Sequence, residues 1–137
     1  HERDAADRQL QILKSYRDDL ADAVTHCFTG SKQALFGYLD LDMHIGITGW
    51  ICDKKRGETL QRLVSKIPLE RLMVETDAPY LGPKNMLEPP KGKRNEPSFL
   101  PWVIEGIAEF REESSEQLAV APSANATRFF RLDQKAQ

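Results

Sequence analysis

Three short apolar runs end in the same way, and this constrains the chain more than any other feature. Val24-Thr25 runs into His26-Cys27-Phe28-Thr29-Gly30, and Ile45-Gly46-Ile47 into Thr48-Gly49. Leu72-Met73-Val74 runs into Glu75-Thr76-Asp77-Ala78-Pro79-Tyr80. Each run is short enough to be a strand, and each closes in polar or glycine residues. Helical stretches separate them. Strands joined by helices run parallel, and such a sheet collects its chemistry at the carboxyl ends of its strands. Two of these ends carry side chains able to hold a metal, His26 and Asp77.

Periodicity supplies the helices. Leu10, Leu13, Tyr16 and Leu20 predict a helix over 5–20, with Asp4 as its N-cap and Asp7 as the acid of a capping box. Ala34, Leu35, Tyr38 and Leu39 predict a second helix, opening at Gly30-Ser31. Leu60, Leu63, Val64 and Ile67 predict a third over 56–66, stopped by Pro68. Leu100, Val103, Ile104 and Ile107 predict a fourth over 98–110. Ser114-Ser115 then caps a short helix with Leu118 and Ala119, and Pro122-Ser123 starts a separate last one. Alternating helices and strands make this an α/β chain with parallel strands. Three strands are too few for a closed barrel, which needs about eight. The chain is therefore a small open sheet or part of a TIM (β/α)8 barrel. Its beginning at His1 favours the C-terminal half of a barrel, with residues 1–137 as one unit.

Composition narrows the partners. The net charge of -2 shows no global basic footprint for nucleic acid, so any phosphate contact must be local. Cys27 and Cys52 have no CxxC spacing and read as reduced thiols of a cytoplasmic protein. No apolar run approaches the roughly 20 residues that span a bilayer, so no membrane is expected. The stretch 78–97 holds five of the eight prolines and the cations Lys84, Lys91, Lys93 and Arg94. It predicts a long loop, and long loops are usually functional or disordered.

The residues also resemble a family. His1-x-Arg3-Asp4-Ala5, His26-Cys27-Phe28-Thr29-Gly30, Ile45-Gly46-Ile47-Thr48-Gly49-Trp50, Glu75-Thr76-Asp77-Ala78-Pro79-Tyr80-Leu81 and Arg94-Asn95-Glu96-Pro97 stand in the order and spacing of TatD-type metal-dependent deoxyribonucleases. The resemblance continues to Asn125 and Phe129-Phe130. It implies a TIM barrel of the amidohydrolase-like kind that cleaves DNA, as an exonuclease, with one to three divalent cations. It implies that His1, His26 and Asp77 are metal ligands and that Asp77 is also catalytic. The family's earlier His-x-His pair and glutamate have no match here. The chain would then carry half of the metal site, and the N-terminal half of the barrel would be its partner.

The chemistry suits these residue types. A divalent cation polarises a phosphoryl oxygen and acidifies a bound water. Imidazole with carboxylate suits zinc or manganese, while magnesium prefers oxygen. Glu75 and Asp77 are two apart and share one side of a strand. Glu75 either orients a ligand histidine or forms a salt bridge inside the barrel. Arg94 is a candidate for DNA phosphate, and Tyr80 and Trp50 for stacking on bases. His44 reads as structural, and Cys27 as buried and inert. Two rival readings stay open: a related barrel hydrolase acting on a small phosphate ester or amide, and a catalytically incomplete half-barrel.

Overall fold

The structure, a computed structural model, describes residues 1–133. Helix α1 (Ala6–Tyr16) leads through a 3-10 turn to strand β1 (Val24–Thr25). Then come α2 (Lys32–Asp40), β2 (His44–Ile47), α3 (Glu58–Leu63) and β3 (Leu72–Val74). After a long irregular segment, α4 (Leu100–Ala108) and α5 (Ser115–Phe129) close the described chain. The three strands are parallel in the order β1-β2-β3, as the alternation of helix and strand predicts.

Register follows from side-chain alternation. Val24 pairs with His44, and Gly46 with Met73. Ile45 and Ile47 are fully buried in the core with Leu35, Tyr38, Leu72, Ile107 and Leu118. Burying each such side chain contributes about 1.5–3 kcal/mol. His44 and Gly46 alternate with the isoleucines and face the other way. A methyl group on Gly46 would overlap the Glu75 carboxylate, so the Gly46 face is also the face that carries Glu75. The ladder continues past the strands, since Phe28 N–H donates to Gly46 O and Glu75 N–H to Ile47 O, both at 2.9 Å.

Two expectations about helix ends need correction. Asp4 does not cap α1: it adopts a φ of 56°, and Glu2 accepts the Ala5 N–H instead. The two expected C-terminal helices are one continuous helix, with Pro122 inside it. Proline forfeits one N–H bond there, which in an exposed helix interior costs about 3 kcal/mol. Here Pro122 and its neighbours Leu118 and Asn125 are buried, and α5 packs on β3 and α4. Tertiary packing outweighs the local cost. Ser114 and Gln117 form the capping box that starts α5.

Candidate active site

The carboxyl ends of β1 and β3 deliver His26 and Glu75 to one place. Glu75 Oε2 accepts from His26 Nδ1 at 2.6 Å, and Glu75 Oε1 accepts the Cys27 N–H. A carboxylate oxygen accepts, so His26 donates from Nδ1, and Nε2 is the ring nitrogen left to meet another partner. Asp77 Oδ1 lies 3.5 Å from that Nε2. The His1 ring lies 5.7 Å from the His26 ring, centroid to centroid. His1, His26, Glu75 and Asp77 thus lie close together at one end of the sheet.

Local backbone explains the aim of these groups. Cys27 (φ 52°) and Asp77 (φ 56°) are both left-handed, a conformation that costs an ordinary side chain about 1 kcal/mol or more. The first bends the chain just after His26. The second turns it just as β3 ends. Gly46 leaves room for the Glu75 carboxylate in the middle of β2. Gly49 does the same for the Asp77 loop, because a methyl group there would overlap Leu81 O. The two glycines of Ile45-Gly46-Ile47-Thr48-Gly49 are therefore both spent on close approach. Cys27 Sγ, buried, lies 3.7 Å from Thr48 Oγ1, and burial raises its thiol pKa. The inert reading of Cys27 agrees with this.

The donors fit a divalent cation in kind. Two ligands about 2.1 Å from a tetrahedral zinc stand about 3.4 Å apart, close to the observed separation of His26 Nε2 and Asp77 Oδ1. They do not complete a site. Among the described residues, no group of three or more His, Cys, Asp or Glu side chains has the geometry to hold a metal.

The other candidates divide. Arg94 is exposed and lines a cleft of about 420 Å³ with Ala78, Pro79, Asn95, Glu96 and Pro97, directly beside the Asp77 turn. Tyr80, 71% exposed, stands on the same turn. Trp50 is engaged by Arg56, whose guanidinium lies 4.5 Å from the indole centroid, while Trp50 Nε1 donates to Arg56 O. Lys84 is not a free loop cation. Its Nζ lies 2.7 Å from Asp53 Oδ2, which also accepts from Arg56 Nε at 2.7 Å. Lys84 first, then Arg56, hold the Asp53 carboxyl far below the usual carboxylate range. This anchor ties the loop after Asp77 to the turn after β2. A cavity of about 850 Å³ around Lys66 and Arg111 shares no residue with the His26 group.

Sequence reasoning missed Asp53 and Asn95. Asp53 looks like any acidic loop residue, and its partner Lys84 is remote in sequence. Asn95 is 2% exposed inside a proline-rich, polar stretch where nothing local signals burial. The available signals were the Arg94-Asn95-Glu96-Pro97 string for Asn95 and, for the Glu75 contact, Gly46, since a glycine inside a short strand marks a close approach.

All but the last two described residues match one family model. The model of TatD related DNases matches residues 1–131. The chain belongs to the TatD family. Curated TatD proteins named 3'-5' ssDNA/RNA exonuclease match it closely. The one from Citrobacter rodentium is 46% identical over 136 residues, covering 99% of this chain and 52% of that protein. The one from Rahnella is 48% identical over 132 residues, covering 96% of this chain and 50% of that protein. The chain thus spans about half the length of these relatives. A crystal structure of a TatD homologue from Escherichia coli superposes with a TM-score of 0.80 at 27% identity, covering 91% of this chain and 46% of that one. The parallel α/β arrangement is therefore that of the TatD fold. No helix among the described residues is long and apolar enough to cross a membrane.

Proposed function

We propose that residues 1–137 are the C-terminal half of a TIM-barrel nuclease that hydrolyses phosphodiester bonds of DNA, most simply from a strand end. The observation that carries the reading is His26: Glu75 accepts from its Nδ1 at 2.6 Å, and its Nε2 faces Asp77 across 3.5 Å. A structural histidine needs one partner, whereas this one is oriented toward a second carboxylate at the mouth of the sheet. The half-barrel reading is supported by the open outer edges of β1 and β3 and by relatives about twice as long.

His1, His26 and Asp77 would hold a divalent cation, whether magnesium, manganese or zinc, with the remaining ligands on the N-terminal half. Bound there, it would polarise the phosphoryl group and acidify water. The chain's own residues do the rest. Asp77 takes the proton of the attacking water on a carboxylate oxygen. Glu75 orients the His26 ring through Nδ1. Arg94 meets a phosphate from the adjoining cleft, and Tyr80 offers an exposed ring to a base. Trp50 is the weaker candidate for stacking, because the Arg56 guanidinium already lies over its ring. The two free cysteines suit a reducing compartment such as the cytoplasm.

The test uses the barrel completed by its N-terminal half. End-labelled single-stranded DNA and RNA are incubated with manganese or magnesium, beside a panel of aryl phosphate esters and amides. Shortening of the strand supports the nuclease. Ester or amide turnover without strand cleavage assigns the site to a small substrate. The isolated chain is expected to be inactive, to bind metal weakly and to self-associate. A monomeric isolated chain that cleaves DNA would overturn the half-site reading.

A further inference from the structure

Asp77 sits in a segment with no regular structure and a left-handed backbone, so something must hold it. Asn95 does. Its side-chain Nδ2 donates to Thr76 O at 2.7 Å and to Tyr80 O at 2.6 Å, bracketing Asp77 on both sides. Its backbone N–H donates to Pro79 O at 3.0 Å, and its Oδ1 accepts from Glu96 N–H at 2.9 Å. The turn's own bond, Tyr80 N–H to Asp77 O, is 2.9 Å and lies inside this bracket. Both amide hydrogens and the amide oxygen of a side chain 2% exposed are thus used on one five-residue turn and the next peptide. An amide is suited to this, since Asp at the same place would aim an acceptor at two carbonyl oxygens.

We propose that Asn95 is a positioning residue for catalysis: it sets the place of the Asp77 carboxylate and, through the adjoining peptide, the register of Arg94 against it. This rests on Asp77 and Arg94 acting as proposed above. The molecule supplies a matched control. Asn125 is also 2% exposed, and its Nδ2 also donates to two carbonyls, Leu69 O at 2.9 Å and Leu72 O at 2.8 Å. Those lie at the entrance of β3, and Asn95 works beyond its exit. Loss of either amide removes two bonds to backbone carbonyls, but only one touches the Asp77 turn.

The experiment compares Asn95→Ala with Asn125→Ala in the completed barrel with manganese, at a temperature where melting curves show both folded. Asn95→Ala is expected to lower kcat on single-stranded DNA about tenfold or more with KM within about threefold, since displacement of a reacting group by about 1 Å costs up to a hundredfold. Asn125→Ala is expected to keep kcat within about twofold. Amide exchange at Tyr80 should accelerate at least tenfold in the first variant and not in the second. Equal kcat losses in the two variants, or an unchanged Tyr80 exchange rate in Asn95→Ala, would overturn the proposal. Where Asn95→Ala does not melt cooperatively, Asn95→Ser replaces it, because its short hydroxyl reaches at most one of the two carbonyls. A native barrel with no nuclease activity would sink the function instead, and Tyr80 exchange would still decide whether Asn95 holds the turn.

Discussion

His26 and His44 occupy one face of the same sheet, at opposite ends, and their surroundings differ completely. The His26 side chain is 41% exposed, with Glu75 on one nitrogen and Asp77 near the other. His44 is buried, packed edge-on against the Phe129 ring at 5.4 Å, with Nδ1 3.3 Å from Asp22 Oδ1 but misaligned for a hydrogen bond. Strand direction makes the difference. At the carboxyl ends, the left-handed residues Cys27 and Asp77 bend the chain beside His26 and Glu75. At the amino ends, the C-terminus of α5 covers the sheet and leaves a histidine no room for chemistry. The upper end is held by polar links between loops, Asn95 to the Asp77 turn and Asp53 to Lys84. The lower end is held by packing, assisted by Asn125 on the carbonyls of Leu69 and Leu72. Residue type therefore says little about role until the end of the strand is known.

The sharpest way to break the contrast is Asp77→Asn in the completed barrel. The shape is kept, the proton acceptor is lost and the metal is weakened. DNA hydrolysis should fall at least a hundredfold, about 2.7 kcal/mol in the barrier, while the melting temperature stays close to native. A near-normal rate at saturating metal would remove Asp77 from the mechanism.

Glu75→Gln is expected to have the next largest effect. It removes the charged partner of His26 Nδ1, so affinity for manganese should fall about tenfold to a hundredfold by calorimetric titration. Unchanged affinity would leave Glu75 as an interior salt bridge without influence on the metal.

Asp53→Asn tests the anchor of the upper loops through pH. The folded carboxyl is strongly depressed, so its contribution is full above the unfolded value near 3.9 and fades as pH falls toward the depressed one. Urea unfolding at pH 7 should show a loss of about 1–2 kcal/mol, and the gap between native and variant should narrow at pH 3. A gap that stays constant from pH 7 to pH 3 would show that the charge of Asp53 is not what stabilises the loop.

The smallest effect is expected at the lower end. His44→Leu replaces a buried imidazole whose Nδ1 lacks a hydrogen bond, so stability should change by less than about 1 kcal/mol and activity by less than twofold. A large loss of hydrolysis would place His44 in the chemistry and dissolve the distinction between the two ends.

Strand and helix order, the parallel sheet and the grouping of His26, Glu75 and Asp77 were legible in the sequence itself. Period and punctuation are local, and they set which residues end a strand and which way those ends face. The loop from Ala78 to Pro97 was legible as a loop for the same reason. What the sequence could not show was decided over long separations. Pro122 reads as a helix start by local rules, yet packing of α5 on β3 carries the helix through it. Asp4 reads as a cap, yet Glu2 reaches the free N–H first. Lys84 reads as one cation among several in a long loop until Asp53, far back in the chain, is folded against it. Asn95 reads as a loop residue until the Asp77 turn closes over it. Each of these depends on which donors and acceptors meet once the sheet has formed, and only the tertiary structure sets that.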